Sequence, residues 1–239
     1  YINSHYIMMC TKKGVVKKTS LEAYSRPRTN GINAITIREG DQLLEAKMTT
    51  GNSHIMMAVK SGKAIHFEEE KVRSMGRTAS GVRGIRLAND NDEVVGMICI
   101  EDINSSVLVV AENGYGKRSA VEDYRITNRG GKGVKTINIT DKTGQLISLK
   151  NVSDEDDLMV INRSGITIRI GVDTLRVMGR ATQGVKLIRL RDDDLIASVA
   201  KVSKFEAAES EDEENNVDLE SNSFNDENLT DKQDNSESD

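Results

Sequence analysis

The chain has 239 residues, of which 30% are charged and 3% are aromatic. No signal peptide is visible, and no apolar run comes near the ~20 residues that a membrane-spanning helix needs. Cys10 and Cys99 lie in apolar runs without a partner at metal-binding spacing, so we expect buried thiols in a reducing compartment and predict a cytoplasmic protein. The chain has 38 acidic and 33 basic residues. Residues 205–239 hold 14 of the acidic residues and one of the basic residues. Residues 1–204 therefore hold 24 acidic and 32 basic residues, a net charge of +8 that favours a polyanionic partner.

Residues 1–204 contain four repeats, at about 6–53, 54–105, 106–156 and 157–204. Each begins with two short apolar runs around a polar turn that ends in glycine, as in YIMMCTKKGVVKKTS and HIMMAVKSGKAIHFE. This pattern predicts a β-hairpin, because glycine readily adopts the positive φ that a tight turn requires. The turn glycines are Gly14, Gly62, Gly114 and Gly165. The first run starts almost at the first residue, which is tyrosine rather than methionine, so we expect an N-terminal part to be missing.

The second half of each repeat predicts two more strands, the first after a glycine-containing loop and the second after an acidic turn. The leading loop glycines are Gly31, Gly81, Gly130 and Gly184. Four short strands per repeat at a period near 50 residues are typical of an all-β, propeller-like array of stacked blades. We therefore predict about four four-stranded blades in residues 1–204.

The last segment, 205–239, is rich in Glu, Asp, Asn and Ser and has few large apolar residues. Such a composition buries too little surface to offset the entropy of ordering, so we predict a disordered acidic tail. Its charge suggests competition with a polyanion for the basic body; a role in solubility alone is the alternative.

Cations recur at matching positions of the repeats, four residues after each turn glycine and again in the long loop. Equivalent positions of stacked blades lie around one perimeter, so these cations predict a basic band that holds duplex DNA by its phosphates. The scarcity of aromatic residues argues against a stacking platform for single strands. The predicted DNA contacts are Lys17, Lys18, Arg26, Arg28, Arg73, Arg77, Arg83, Lys117, Arg118, Arg129, Lys132, Arg169, Arg176, Arg180 and Lys186.

One loop stands out, with three glycines and two cations in Arg129, Gly130, Gly131, Lys132 and Gly133. It precedes a strand rather than a helix, so it is not a Walker-type or dinucleotide loop. No catalytic motif is present, and His5, His54 and His66 lack a second ligand at metal-binding spacing. We predict no catalytic residue, no metal site and no cofactor in this segment.

Four short segments, NGYGKRSAV, GVRGIRL, MGRTASGV and RGGKG, together with the repeats, carry a resemblance that covers about residues 6–202. The chain resembles the C-terminal domain of the A subunit of DNA gyrase, a bacterial type IIA topoisomerase. The resemblance implies a β-pinwheel of six blades, a propeller with strands exchanged between blades, of which the last four lie here. The first two blades and the DNA-cleaving half would lie upstream of Tyr1.

The resemblance also implies function and partners. The domain would wrap duplex DNA so that ATP-dependent strand passage introduces negative supercoils, within an assembly of two A and two B subunits that uses ATP and Mg. The family's heptapeptide is QRRGGKG, in the first blade. Arg129–Gly133 matches its last five letters, while Asn128 and Thr127 replace Arg and Gln, so we interpret this loop as a degenerate copy.

Two alternatives remain from the sequence. The first is the corresponding domain of the A subunit of topoisomerase IV, which serves decatenation and relaxation and lacks the heptapeptide. The second, from another class, is a stand-alone propeller that binds proteins. It would show no salt-dependent affinity for DNA.

Overall fold

The structure is a computed structural model, and it describes residues 4–191 and 194–203. The predicted acidic tail at 205–239 lies outside the described residues. The described part is built from short strands, namely β1 (Tyr6–Thr11), β2 (Val15–Ser20), β3 (Leu43–Thr49), β4 (His54–Val59), β5 (Lys63–Glu68), β6 (Val82–Arg83), β7 (Val94–Ile100), β8 (Ser106–Ala111), β9 (Tyr115–Ala120), β10 (Val134–Lys135), β11 (Leu146–Val152), β12 (Asp156–Asn162), β13 (Thr167–Gly171), β14 (Val185–Lys186) and β15 (Ile196–Ser203).

The strands form four antiparallel sheets, which we call blades 1 to 4. Their strand orders are β3-β1-β2-β6, β7-β4-β5-β10, β11-β8-β9-β14 and β15-β12-β13. The all-β, blade-like prediction is confirmed. The outermost strand of blades 1 to 3 comes from the following repeat, since β6 pairs with β2, β10 with β5 and β14 with β9. Strands are therefore exchanged between successive blades, as the resemblance implied.

The first two strands of each repeat form the predicted hairpin. The turn glycines have φ of 82°, 79°, 83° and 87° at Gly14, Gly62, Gly114 and Gly165. A β-carbon at Gly114 would also lie 2.7 Å from the carbonyl oxygen of Ile188, so both the backbone conformation and the packing require glycine there.

The hydrophobic core lies between successive blades rather than within one. Met8 and Val16 of blade 1 pack with Met57 and Phe67 of blade 2 in one buried cluster. Two further clusters join blade 2 to blade 3 and blade 3 to blade 4. Because each blade buries its faces against its neighbours, the repeats stabilise one another as in other repeat arrays.

The acidic turns hold the hairpins. Asp92 is buried, and its carboxylate accepts hydrogen bonds from the backbone N–H of Ser61 at 3.1 Å and the hydroxyl of Ser61 at 2.8 Å. Asp41 accepts the N–H of Lys13 at 2.9 Å in the first repeat. These carboxylates therefore bind the hairpin turns of their own repeats, which agrees with the interpretation of the acidic segments as turns.

A short 3₁₀ turn follows the hairpin of each repeat, at Leu21–Tyr24, Glu69–Lys71, Val121–Asp123 and Val172–Thr174. In repeats 2 to 4 the chain then runs along the second hairpin strand of the preceding blade, where the N–H groups of Met75, Thr127 and Met178 donate to the carbonyls of Lys18, His66 and Arg118 at 2.8 Å each. The long loops that carry the predicted cations thus cover the outer edges of blades 1 to 3.

The two ends of the described array differ from its interior. Segment 31–37 of the first repeat, equivalent to the exchanged strands, forms no strand and instead contacts 77–79, where the hydroxyl of Thr36 donates to the carbonyl of Thr78 at 2.6 Å. At the other end, no described strand pairs with the second edge of β13. The innermost strands β3, β7, β11 and β15 line a cavity of about 660 Å³.

Candidate nucleic-acid interface

The loops that cover the outer blade edges are residues 73–83, 125–135 and 176–186, which we call rim loops 1, 2 and 3. They carry exposed cations whose side chains make no hydrogen bond or ion pair within the described part of the chain. From the predicted set these are Arg73, Arg83, Lys132, Arg176 and Lys186, together with Arg26 and Arg28 of the first repeat. Unpaired, exposed cations are the groups best able to meet phosphates.

Three arginines of the predicted set hold the rim loops in place. Arg129 donates from Nε to the carbonyl of Lys71 at 2.9 Å and from a terminal nitrogen to that of Arg83 at 3.2 Å. Arg180 makes the equivalent bonds to the carbonyls of Asp123 and Lys135 at 2.9 and 2.8 Å. Arg77 donates to the carbonyl of Asn33 at 3.1 Å. Each half-buried guanidinium therefore links its rim loop to the preceding repeat and keeps its charge at the edge.

Lys17 and Lys117 do not belong to an exposed band, which corrects their assignment as DNA contacts. Both are buried, and their ammonium groups hold the loops from beneath. Lys17 donates to the carbonyls of Ala34 and Arg77, and Lys117 donates to that of Gly179 at 2.6 Å. Burial lowers the pKa of Lys17, and it lowers the pKa of Lys117 to about 8. Both lie in strands, where neighbouring side chains point to opposite faces, but Lys18 is buried as well, so a cationic pair in the sequence does not reveal how far either member is exposed.

Two of the cations four residues after the turn glycines, Lys18 and Arg118, connect successive repeats. Lys18 forms an ion pair with Glu69 of the next repeat at 2.9 Å, and its ammonium also lies over the ring of Tyr6. Arg118 donates to the carbonyl of Val172 at 3.1 Å and pairs with Asp154 at 2.5 Å. We call these side chains inter-blade latches; the prediction that Lys18 and Arg118 contact DNA did not anticipate these partners.

His66 occupies the latch position of blade 2. Its Nδ1 donates to the carbonyl of Tyr124 in the next repeat at 2.8 Å, so its Nε2 accepts the Nδ1–H of His54 at 3.0 Å. Burial is the main reason why its pKa is lowered, which favours the neutral ring that this arrangement needs. In blade 4 the latch residue Arg169 instead pairs with Asp157 of its own blade at 2.6 Å.

Glu69 is an acid with a specific role that the sequence did not single out. Its carboxylate is fully buried, and besides Lys18 it accepts the hydroxyl of Thr49 at 2.7 Å and the N–H of Ser53 at 3.1 Å. The equivalent positions of the other repeats are apolar, at Leu21, Val121 and Val172. A single acid in an otherwise apolar position of the repeats is the signal that would have revealed it.

Rim loop 2 lacks the buried lysine that supports rim loops 1 and 3. Blade 2 has Ile65 where blades 1 and 3 have Lys17 and Lys117, so no ammonium reaches this loop from that position. Instead the N–H of Gly130 donates to the carbonyl of Gly84 at 2.6 Å. Gly130 has a φ of 81°, which lets the backbone come this close without strain.

The same loop exposes donors on its outer side. Lys132 and Gly133 use neither their N–H groups nor the Lys132 ammonium in a hydrogen bond within the described residues. The loop, with Arg125, Thr127 and His66, borders a cavity of about 230 Å³. Neighbouring backbone N–H groups beside a cation suit an oxyanion such as a phosphate.

Two features are absent from the part of the chain that the structure describes. No group of three His, Cys, Asp or Glu side chains among the described residues is arranged to hold a metal ion. Among the same residues, no helix is long and apolar enough to cross a membrane.

The fold and the site define a class of protein: a repeat-built β-propeller domain with strands exchanged between blades and cationic loops on its outer edge. The chain belongs to the family described as DNA gyrase C-terminal domain, beta-propeller. The family's sequence profile matches four consecutive segments, 5–49, 53–101, 105–153 and 156–203, one for each repeat.

Curated relatives include the A subunits of DNA gyrase from Staphylococcus aureus (strain MRSA252), 44% identical over 214 residues, and from Chlamydia pneumoniae, 45% identical over 205 residues. The matches cover 89% and 85% of this chain but 24% of each relative. The chain therefore spans about a quarter of the length of the relatives that it matches.

Solved structures with a similar fold include the C-terminal domain of DNA topoisomerase IV, with a TM-score of 0.79 over 84% of this chain and 62% of that one. The DNA gyrase A C-terminal domain follows, with a TM-score of 0.74 over 84% and 66%. The E. coli ParC C-terminal domain has a TM-score of 0.66 over 85% and 83%. With identities of 23%, 23% and 20%, these structures establish the fold alone.

Proposed function

We propose that this chain is the DNA-binding and DNA-wrapping module of the A subunit of a DNA gyrase. The observation that carries the proposal is the recurrence of unpaired, exposed cations in all three rim loops, at Arg73, Lys132 and Arg176 among others. Because the loops cover the outer edges of successive blades, a duplex that follows this edge meets a cation at each blade. Phosphate contacts of this kind are independent of base sequence.

In this proposal the duplex bends as it passes from one blade to the next. Bending a duplex costs free energy, and the sum of many phosphate contacts offsets that cost. The arginines that hold the rim loops and the buried lysines beneath them keep the cations in register. Rigid loops lose little entropy when DNA binds, so more of each contact contributes to affinity.

In the complete enzyme, the wrapped arm would be passed through a cleaved segment in one direction, which introduces negative supercoils. The DNA-cleaving residues, the ATP and the Mg belong to the rest of that enzyme. The partners are two B subunits together with a second copy of the A subunit, in the cytoplasm. Support for these points comes from the resemblance and from the relatives, which are DNA gyrase A subunits.

The corresponding domain of topoisomerase IV shares the fold, but at 23% identity that likeness does not favour its function. The relatives that are 44% and 45% identical belong to gyrase. A protein-binding propeller would leave the repeated, unpaired cations of the rim loops without a partner.

The proposal is tested by measuring the affinity of the full 239-residue chain for a duplex over a range of salt concentrations. Each exposed cation that meets a phosphate should contribute about 0.9 to the slope of log K against log salt. Arg73→Gln, Lys132→Gln and Arg176→Gln are expected to lower that slope and, in the complete enzyme, the yield of supercoiled DNA. Lys47→Gln is the matched control, because Lys47 lines the inner cavity. If the affinity of the wild-type chain for the duplex did not depend on salt concentration, the proposal would be contradicted.

A further inference from the structure

Two rim loops present an exposed apolar side chain at the same position. Ile126 of rim loop 2 is 51% exposed and Val177 of rim loop 3 is 50% exposed. Each directly follows an exposed arginine, Arg125 or Arg176. Rim loop 1 has Ser74 at the equivalent position. A single exposed isoleucine is ordinary on a protein surface, but its recurrence at one position of a repeat indicates a shared role.

The backbone fixes where these side chains lie. Val177 forms a parallel bridge with Arg118 in the second hairpin strand of blade 3, and the bond from the next residue, Met178, to Arg118 is 2.8 Å long. Thr127, which follows Ile126, makes the same bond to His66 in blade 2. Both apolar residues are therefore anchored against a strand and belong to well-defined backbone, rather than to the free tip of a loop.

The surroundings of the two residues identify the partner. Arg125 precedes Ile126 and Arg129 follows three residues later, while Arg176 and Arg180 flank Val177 in the same way. An isolated apolar side chain next to the exposed guanidinium of Arg125 or Arg176 does not fit an apolar protein surface, because docking would bury that arginine without a partner. It does fit duplex DNA, whose minor groove offers apolar sugar faces between two lines of phosphates.

We propose that Ile126 and Val177 contact the minor groove of the wrapped duplex, against its sugars, at the points where the DNA curves over blades 2 and 3. This inference rests on the proposed function and deepens it. Arg125 and Arg176 neutralise phosphates that border the groove, Arg129 and Arg180 hold the loops in place, and the apolar side chain lies in the groove. Proteins that wrap DNA contact it repeatedly where the minor groove faces inward, with cations at the adjacent phosphates, and the rim loops offer this combination at two successive blades.

The contact differs from the phosphate contacts in its response to salt. Phosphate contacts release counterions and set the slope of log K against log salt. Burial of an apolar side chain releases none, so it adds the same factor to affinity at every salt concentration in the range. The two kinds of contact are therefore separable in one titration.

The experiment compares Ile126→Ser, Val177→Ser and the double variant with the wild type, using the full chain and a duplex long enough to bend across two blades. Serine is the residue that rim loop 1 itself carries, at Ser74. We expect the lines of log K against log salt to stay parallel and to drop by roughly fourfold for each methylene-sized group that no longer reaches the DNA. The bend, followed by energy transfer between dyes at the duplex ends, should decrease.

Three controls accompany these variants. Arg125→Gln should lower the slope by about 0.9, because it removes a phosphate contact. Ser74→Ala should leave both slope and intercept unchanged. Ile126→Leu should keep most of the wild-type affinity and bend, since it preserves the apolar volume. Unfolding midpoints of all variants should match the wild type, because the replaced side chains lie on the surface.

Unchanged affinity and bend in the double serine variant at every salt concentration would overturn the inference. The inference would also be overturned if the serine variants changed the slope of log K against log salt but kept the wild-type affinity at high salt. The side chains would then act only by positioning the arginines. A wild-type chain that shows no salt-dependent affinity for DNA would instead refute the proposed function, and this inference with it.

Discussion

The buried lysines are the residues whose role differs most from an interpretation based on charge alone. Lys117 is 1% exposed and holds the carbonyl of Gly179, which precedes Arg180 of rim loop 3. Burial lowers its pKa from the ordinary 10.5 to about 8, with Asp123 opposing and Arg180 reinforcing the shift. Ile65 and Ile168 occupy the same position in blades 2 and 4, so an uncharged side chain fits there.

We predict that Lys117→Met changes how stability depends on pH. Between pH 8 and 10.5 the unfolded wild-type chain keeps a proton that the folded chain has released, so the free energy of unfolding rises with pH across this window. The methionine variant should lack that rise. Urea unfolding at several pH values measures it, with the exposed Lys132→Met as the matched control. Equal slopes for wild type and Lys117→Met would show that Lys117 titrates as it does in the unfolded chain.

A second prediction concerns the close approach of rim loop 2 to blade 2. Gly133 has a φ of 70°, and an added β-carbon would lie 2.5 Å from the carbonyl oxygen of Ala64. Gly133→Ala therefore combines a left-handed backbone, which costs about 1–2 kcal/mol for an L-residue, with a backbone clash. Gly31→Ala is the matched control, since Gly31 has a φ of 78° with nothing within 4 Å of the added carbon.

Denaturant unfolding should thus show a larger loss of stability for Gly133→Ala than for Gly31→Ala. Rim loop 2 should also lose its register, which a weaker DNA affinity with a smaller salt slope would reveal, because Lys132 would no longer meet its phosphate. Equal losses of stability in the two variants would contradict this prediction. They would mean that β10 can move away from β5 without a cost in free energy, so that the close contact between Gly133 and Ala64 does not matter for stability.

At the scale of the elements, the hairpins were predictable and the strand exchange was not. Turn glycines with an apolar run on each side specify a hairpin locally, and all four occur as predicted. The exchanged strands β6, β10 and β14 have two residues each, too short for any periodicity. Which blade such a strand joins depends on long-range packing. Only the resemblance to a known family implied exchange.

At the candidate site, too, the sequence could not decide the role of the latch residues, which lie four positions after the turn glycines. Lys18, His66 and Arg118 form a regular series in the sequence, which predicts an exposed band equally well as a series of inter-blade contacts. The partners decide between the two, and they lie in the next repeat: Glu69 and the carbonyls of Tyr124 and Val172. Sequence reasoning placed the cations of the rim loops at the outer edge but could not separate the unpaired cations from the arginines that hold the loops.

The junction of blades 1 and 2 gives a prediction on this scale. The Lys18–Glu69 pair is buried, so removing one partner leaves an uncompensated charge, at a cost of about 3–5 kcal/mol. We expect Glu69→Val alone to be strongly destabilising, although valine is native at the equivalent Val121 and Val172. Adding Lys18→Met should recover the part of the loss that comes from the unpaired charge, while the hydroxyl of Thr49 and the N–H of Ser53 stay without their acceptor.

Chemical unfolding of the two single variants and the double variant gives the coupling between the two side chains. A double variant as unstable as the sum of the single variants would show that Lys18 and Glu69 act independently. It would then be wrong to treat the pair as a latch between blades.

At the scale of the whole molecule, charge is divided along the sequence. Residues 1–204 carry a net charge of +8, and 205–239 hold 14 acidic residues with one lysine. A basic surface that is proposed to bind phosphates also favours carboxylates electrostatically. The acidic segment is therefore expected to compete with DNA for the rim loops, as an intramolecular ligand at high effective concentration.

We predict that deleting residues 205–239 tightens binding of the chain to duplex DNA at low salt. The effect should fade as salt rises, because the Debye length falls from about 10 Å at 0.1 M to about 3 Å at 1 M. A neutral tail of the same length made of Gly and Ser should behave like the deletion, whereas a tail with the same residues in shuffled order should behave like the wild type. Those two controls separate charge from excluded volume and from a specific sequence. Unchanged low-salt affinity after deletion would leave the segment without a competitive role, and the rim loops would then be open to DNA at all times.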